Sequence, residues 1–134
     1  MYLLDSNIFL ELLLDQERAD DVEKLLRSVP RKKFHISEFS LYSVGIVLFR
    51  RKLFDVFVRF VEDLIITGGI CLLRLSSDDA KGLAEAARRF GLDFDDAYQY
   101  VVAERYGLTI VSFDGDFDRT ELGRKTPEDL LAKS

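Results

Sequence analysis

The stretch LTIVSFDGDFD, residues 108–118, carries the reading that decides the fold. An apolar, β-branched run ends in three carboxylates, Asp114, Asp116 and Asp118, set on alternate positions. A short apolar run bounded by turn residues reads as a strand buried on both faces, the kind found in parallel sheets. Asp-Gly-Asp is ordinary turn chemistry, so the strand stops there. Like charges crowded at a strand end also raise one another's pKa values, and a bound cation relieves that cost. From this stretch alone, turn residues and cation ligands both remain open.

Upstream of the run, the pattern repeats. Tyr2–Leu4 is a short apolar strand ending in Asp5. A helix follows over 7–14, and another over 17–28 with Ala19, Val22, Leu25 and Leu26 facing inward. Pro30 ends that unit, and 34–37 is a second strand. Residues 38–49 are apolar nearly all round, which predicts a buried helix. Leu53, Val56, Phe57, Phe60, Val61, Leu64 and Ile65 keep helical spacing over 53–66, until Gly68-Gly69 breaks it. A third strand is expected over 70–75, a helix capped by Ser76 or Ser77 to about Phe90, and a helix over 93–106 stopped by Gly107. Thr126-Pro127-Glu128 has the cap, first-turn proline and acid of a short last helix. Strands alternating with helices predict a three-layer α/β/α sandwich around a parallel sheet of about four or five strands.

The totals set bounds. The chain has 134 residues, 48% of them hydrophobic and 32% charged, which predicts one globular domain over 1–134. Apolar runs stay well short of the ~20 residues a membrane span needs. A single cysteine, Cys71, excludes an internal disulfide and a multi-cysteine zinc site, and reads as a small buried hydrophobe in GICLLRL. With an acid at position 5 and no basic leader, the cytoplasm is the expected compartment. A net charge of −5 does not suit a protein that grips nucleic acid by bulk electrostatics. Basic clusters do occur, at Arg31-Lys32-Lys33, Arg50-Arg51-Lys52, Arg88-Arg89 and Arg124-Lys125. Each reads first as a solvated helix end or loop.

Ligands of open parallel sheets gather at the carboxyl ends of the strands. Asp5, Glu38 and Asp114 all fall at such ends, and Asp96 lies in the first turn of the helix before the fourth strand. Each has a plain structural alternative. Asp5 can cap a helix, and Asp93, Asp95 and Asp96 suit a helix N-terminus. Together they describe an oxygen-only site of the sort Mg²⁺ or Mn²⁺ occupies. His35, alone in a strand, reads as structural.

Three segments carry a family resemblance: LLDSNIFLELL (3–13), FDDAYQYVVAERYGLTIVSFDGDF (94–117) and, more loosely, FHISEFSLYSVGIVL (34–48). In these the chain resembles the PIN domain family, over nearly its whole length. The resemblance implies a metal-dependent nuclease acting on RNA, in many small members the toxin of a VapC-like toxin–antitoxin pair. Carried over by position, Asp5, Asp96 and Asp114 would hold the metal, Asp116 would be an auxiliary acid, and Asn7 and Ser112 supporting polar residues. The third segment departs from the pattern. Ser43 stands where the family has its second acid, and the nearest acid, Glu38, starts the same helix. Positions five apart on a helix differ by about 7.5 Å along its axis.

The expected activity is therefore hydrolysis of RNA by a carboxylate-held Mg²⁺ or Mn²⁺ and an activated water. Arg50, Arg51 and Lys52, with Arg31–Lys33, would guide the RNA backbone. The alternative is a catalytically weakened PIN-like module that binds protein or RNA, which the non-acidic Ser43 favours. A phosphoacceptor domain of receiver type is set aside, since strand one carries a single acid and VSFDGDF supplies no lysine. Phe54 and Val58, outside the inward stripe of 53–66, and the apolar helix 38–49 predict a homodimer. An antitoxin would be a separate chain.

Overall fold

The structure is a computed structural model and describes residues 1–132; Lys133 and Ser134, the end of the expected domain span, lie outside the described residues. Four short strands make one sheet: β1 (Tyr2–Leu4), β2 (Phe34–Ser37), β3 (Cys71–Leu73) and β4 (Thr109–Val111). Their order is β3-β2-β1-β4 and every pairing is parallel. A single parallel bridge, Val111 to Lys125, continues the sheet beyond β4.

Alternation along the strands builds the layers, because successive side chains point to opposite faces. Leu4, Phe34, Ile36 and Val111 pack on one side with Ile8, Phe9, Val22, Leu25, Val44, Leu48 and Phe60. That layer comprises α1 (Ser6–Leu13), α2 (Ala19–Ser28), α3 (Glu38–Arg50) and α4 (Phe54–Phe60), with Leu130 of α7 (Pro127–Leu131) against it. Leu3 and Ile110 face the other way, onto α5 (Ala80–Phe90) and α6 (Phe94–Tyr106). The sheet is thus covered on both faces, as its near-continuous apolar strands require.

Local signals set the ends. Thr126 and Asp129 form a capping box at α7, with Pro127 in the first turn. Asp79 accepts from the Ser76 N–H before α5. Gly107 terminates α6 in the left-handed region, φ 65°, where a side chain would be strained.

Three expectations need correction. Cys71 is exposed, not buried, because β3 is an edge strand with a single neighbour. Helix α3 is buried on one face only: Ser40, Val44 and Leu48 point inward, while Tyr42, Ile46 and Phe49 are exposed. The stripe over 53–66 does not make one α-helix. It is α-helical to Phe60 and widens into a π-helical stretch, Val61–Ile66, closed by the Thr67 N–H on the Glu62 carbonyl at 2.8 Å. Gly68 then runs against the carbonyls of Asp63 and Leu64, so close that a Cβ there would sit 2.3 and 2.7 Å from them. Among the described residues no helix is long and apolar enough to cross a membrane.

Candidate metal centre

The parallel order brings the carboxyl ends of β1, β2 and β4 side by side. Asp5 leaves β1 and becomes the N-cap of α1, its carboxylate accepting the Ser6 N–H at 2.8 Å. Capping is only part of its work. Ser112, just past β4 and fully buried, donates its hydroxyl to Asp5 Oδ2 at 2.7 Å. Asn7 Nδ2 reaches Asp5 Oδ2 at 3.4 Å and Ser112 Oγ at 3.1 Å, while Asn7 Oδ1 accepts the Phe113 N–H. From α6, Gln99 Nε2 donates to Asp5 Oδ1 at 3.1 Å. Both oxygens of this buried acid therefore take two donors each. Burial pushes its carboxyl above the ordinary carboxylate range; the Ser112, Ser6 and Gln99 hydrogen bonds pull it back, and the charge of Asp114 adds to the rise.

Asp96 comes from the first turn of α6, where Asp93 caps the helix and accepts the Asp96 N–H. Asp114 and Asp116 come from the turn after β4. The Asp114 N–H donates to Ser112 Oγ at 3.0 Å, and Asp114 Oδ1 accepts the Asp116 N–H at 2.8 Å. Ser112 thus ties the acid of β1 to the acid of the β4 turn. One carboxylate oxygen each from Asp96, Asp114 and Asp116 lie within 4.8 Å of one another. Asp96 is buried, whereas the Asp116 side chain is 51% exposed, so the group opens to solvent on the turn side.

This charge is not internally balanced. The Asp96 carboxyl is pushed up to about 7, first by burial and then by the charges of Asp114, Asp93, Asp5 and Asp116. Among the described residues the cation paired within the group is Arg119, whose Nη1 meets Asp116 Oδ1 at 3.2 Å while its Nε and Nη2 are held by the carbonyls of Phe90 and Gly91. A divalent cation fits what is here. Three convergent carboxylate oxygens with no sulfur or imidazole among them suit a hard ion such as Mg²⁺ or Mn²⁺, with open positions left for water.

The remaining sequence candidates are placed as follows. Glu38 opens α3 directly after β2, half-buried, and is not one of the three converging acids. Ser43 is half-buried within the same helix. Arg50 ends α3, which puts it about 18 Å along the axis from Glu38; Arg51 and Lys52 follow it, all three exposed. Two other cations touch the segment that carries the β4 acids. Arg18, which the sequence did not single out, stacks over the Phe113 ring at 3.7 Å, and Arg124, of the basic pair Arg124-Lys125, donates from Nη1 to the Ser112 carbonyl. Arg124 also pairs with Asp118. Gln99 was missed as well. Its sequence signal was a polar residue three positions after Asp96, on the same side of a helix that is buried from Asp96 to Ala103.

A family model described as PIN domain matches residues 2–122. The chain belongs to the PIN domain family. Solved structures share the PIN fold from end to end. VapC20 of Mycobacterium tuberculosis, described as a sarcin-ricin loop cleaving toxin, superposes with a TM-score of 0.77 at 20% identity, over 91% of this chain and 96% of that one. A toxin–antitoxin complex from Klebsiella pneumoniae gives 0.74 at 20%, over 95% and 98%. FitAcB from Neisseria gonorrhoeae gives 0.74 at 22%, over 96% and 99%. At these identities the likeness is one of fold. No curated protein matches this PIN domain in sequence.

Proposed function

We propose that this PIN domain is a divalent-metal-dependent ribonuclease, and the toxin of a toxin–antitoxin pair. The observation that carries the reading is the convergent group of Asp96, Asp114 and Asp116, in which Arg119 pairs with Asp116 and the Asp96 carboxyl is raised to about 7. A stable fold tolerates such repulsion where a ligand offsets it. When bound, Mg²⁺ or Mn²⁺ supplies polarisation of the phosphodiester and activation of water. The chain supplies the rest. Asp5, Asp96, Asp114 and Asp116 hold the ion, with Asp5 fixed in place by hydrogen bonds from Ser6, Asn7, Ser112 and Gln99. Ser112 keeps the β1 and β4 acids in register. Glu38, which opens α3 directly after β2, is an additional acid that a substrate or second ion could meet. Arg18 and Arg124 flank the acid edge and suit a phosphate backbone, with Arg50–Lys52 serving a longer strand.

The toxin assignment is supported by the toxins and toxin–antitoxin complexes that share the fold, and it implies a cytoplasmic protein with an antitoxin partner. One domain accounts for the chain. A homodimer is supported by the exposed apolar face of Tyr42, Ile46, Phe49, Phe54 and Val58 on α3 and α4. The test is cleavage of a mixed single-stranded RNA with Mn²⁺, with and without a chelator. Metal-dependent cleavage lost in Asp114→Asn supports the reading; chelator-resistant cleavage, or none from the intact protein, opposes it. The second outcome would favour a weakened binding module, which Ser43 at the second acid's position also favours.

A further inference from the structure

We infer that Gln99 is a positioning residue of this site, holding Asp5 against the end of β2 by hydrogen bonding. The inference rests on the metal-site reading above. Gln99 is 2% exposed and sits on α6 one turn from Asp96, yet its side chain reaches the ends of two strands. Its Oε1 accepts from Ser37 Oγ at 2.5 Å, at the end of β2. Its Nε2 donates to Asp5 Oδ1 at 3.1 Å, at the end of β1.

The direction of this chain of bonds follows from the acceptor at its end. Asp5 Oδ1 accepts, so the amide presents Nε2 to it and turns Oε1 toward Ser37. The Ser37 hydroxyl donates to that oxygen and itself accepts the Ser40 N–H at 3.0 Å. So one amide links the end of β2 to the acid of β1, and ties both to the helix that presents Asp96. It adds no negative charge to a group that already holds Asp5, Asp96, Asp114 and Asp116. A glutamate in its place would repel Asp5, and an apolar residue would leave both Ser37 Oγ and Asp5 Oδ1 short of a partner.

The prediction separates positioning from mere support of the fold. Partners that orient a metal's ligands change its affinity by roughly 10- to 100-fold when removed. In a thermal-shift titration with Mn²⁺ alone, Gln99→Leu is expected to need about ten times more Mn²⁺ than the intact protein for half-maximal stabilisation. Ser37→Ala keeps the amide but frees its anchor, and should show a smaller loss in the same direction; it serves if the leucine variant does not fold. The metal-free readout is NMR of the ¹⁵N-labelled protein, which has just three side-chain amides, those of Asn7, Gln16 and Gln99. The Gln99 pair should be protected from solvent exchange and should shift in both Asp5→Asn and Ser37→Ala. A Gln99 amide that exchanges like exposed Gln16 overturns the proposal. So does unchanged Mn²⁺ affinity in a folded Gln99→Leu. If the intact protein shows a protected Gln99 amide but no response to Mn²⁺, it is the metal reading that fails, and the role proposed for Gln99 toward the metal falls with it.

Discussion

Asp96 is the residue on which the electrostatics turn. Burial and the neighbouring acids push its carboxyl up to about 7 from an ordinary value of 3.8. Between those values the folded protein binds more protons than the unfolded chain, so stability falls as pH rises through that window. Asp96→Asn removes the penalty. After discounting for solvent screening of an open cluster, the variant should be more stable than the intact metal-free protein by about 1–2 kcal/mol at pH 8, with no gain near pH 3, as urea denaturation at the two pH values would reveal. Ser112 works the other way. Its buried hydroxyl donates to Asp5 and accepts from Asp114, so Ser112→Ala should cost about 1–3 kcal/mol and weaken Mn²⁺ binding in the same titration. Apolar runs and turn residues put Asp5, Asp96 and Asp114 at strand ends and a helix start, while Asn7 and Ser112 entered through the resemblance to the PIN family. Gln99 was legible in neither way. A buried glutamine within a buried helix looks like any polar interruption until the strands it bridges, 62 and 94 residues away, are known to be adjacent.

At the scale of elements, apolar patterns and cap residues located the strands and α-helices named above but not their partners. Helix α2 and the stripe of α4 face inward as their spacing predicts. Composition alone could not tell that α3 has an outer face. Tyr42, Ile46 and Phe49 are as apolar as its buried residues, and only the position of the sheet decides which side is which. The π-helical stretch was equally hidden, since Phe60 and Leu64 satisfy an α-helical stripe whichever way the turn closes. Gly68 is the residue that permits the close return of the chain. Gly68→Ala should destabilise the fold by about 1–3 kcal/mol, by forcing a Cβ onto two backbone carbonyls, measured as a lower urea midpoint. Gly107→Ala is expected to cost about 1 kcal/mol, for the left-handed φ alone.

For the whole molecule, the sheet order places function where the sequence could only suggest it. With β1 between β2 and β4, Asp5 is flanked by Ser37 on one side and Ser112 on the other, and α6 lays Asp96 and Gln99 across the same edge. The basic cluster Arg50-Arg51-Lys52 lies at the far end of α3, about 18 Å along the axis from Glu38. The edge position of β3, and with it the exposure of Cys71, follows from an order that no local signal encodes. The central claim is that Asp96, Asp114 and Asp116 hold a divalent cation, and calorimetric titration with Mn²⁺ tests it most directly. The intact protein and Asp118→Asn, whose acid is paired with Arg124 outside the group, should bind Mn²⁺ alike, while Asp114→Asn should bind at least tenfold more weakly. Equal binding by Asp114→Asn and Asp118→Asn would contradict the account.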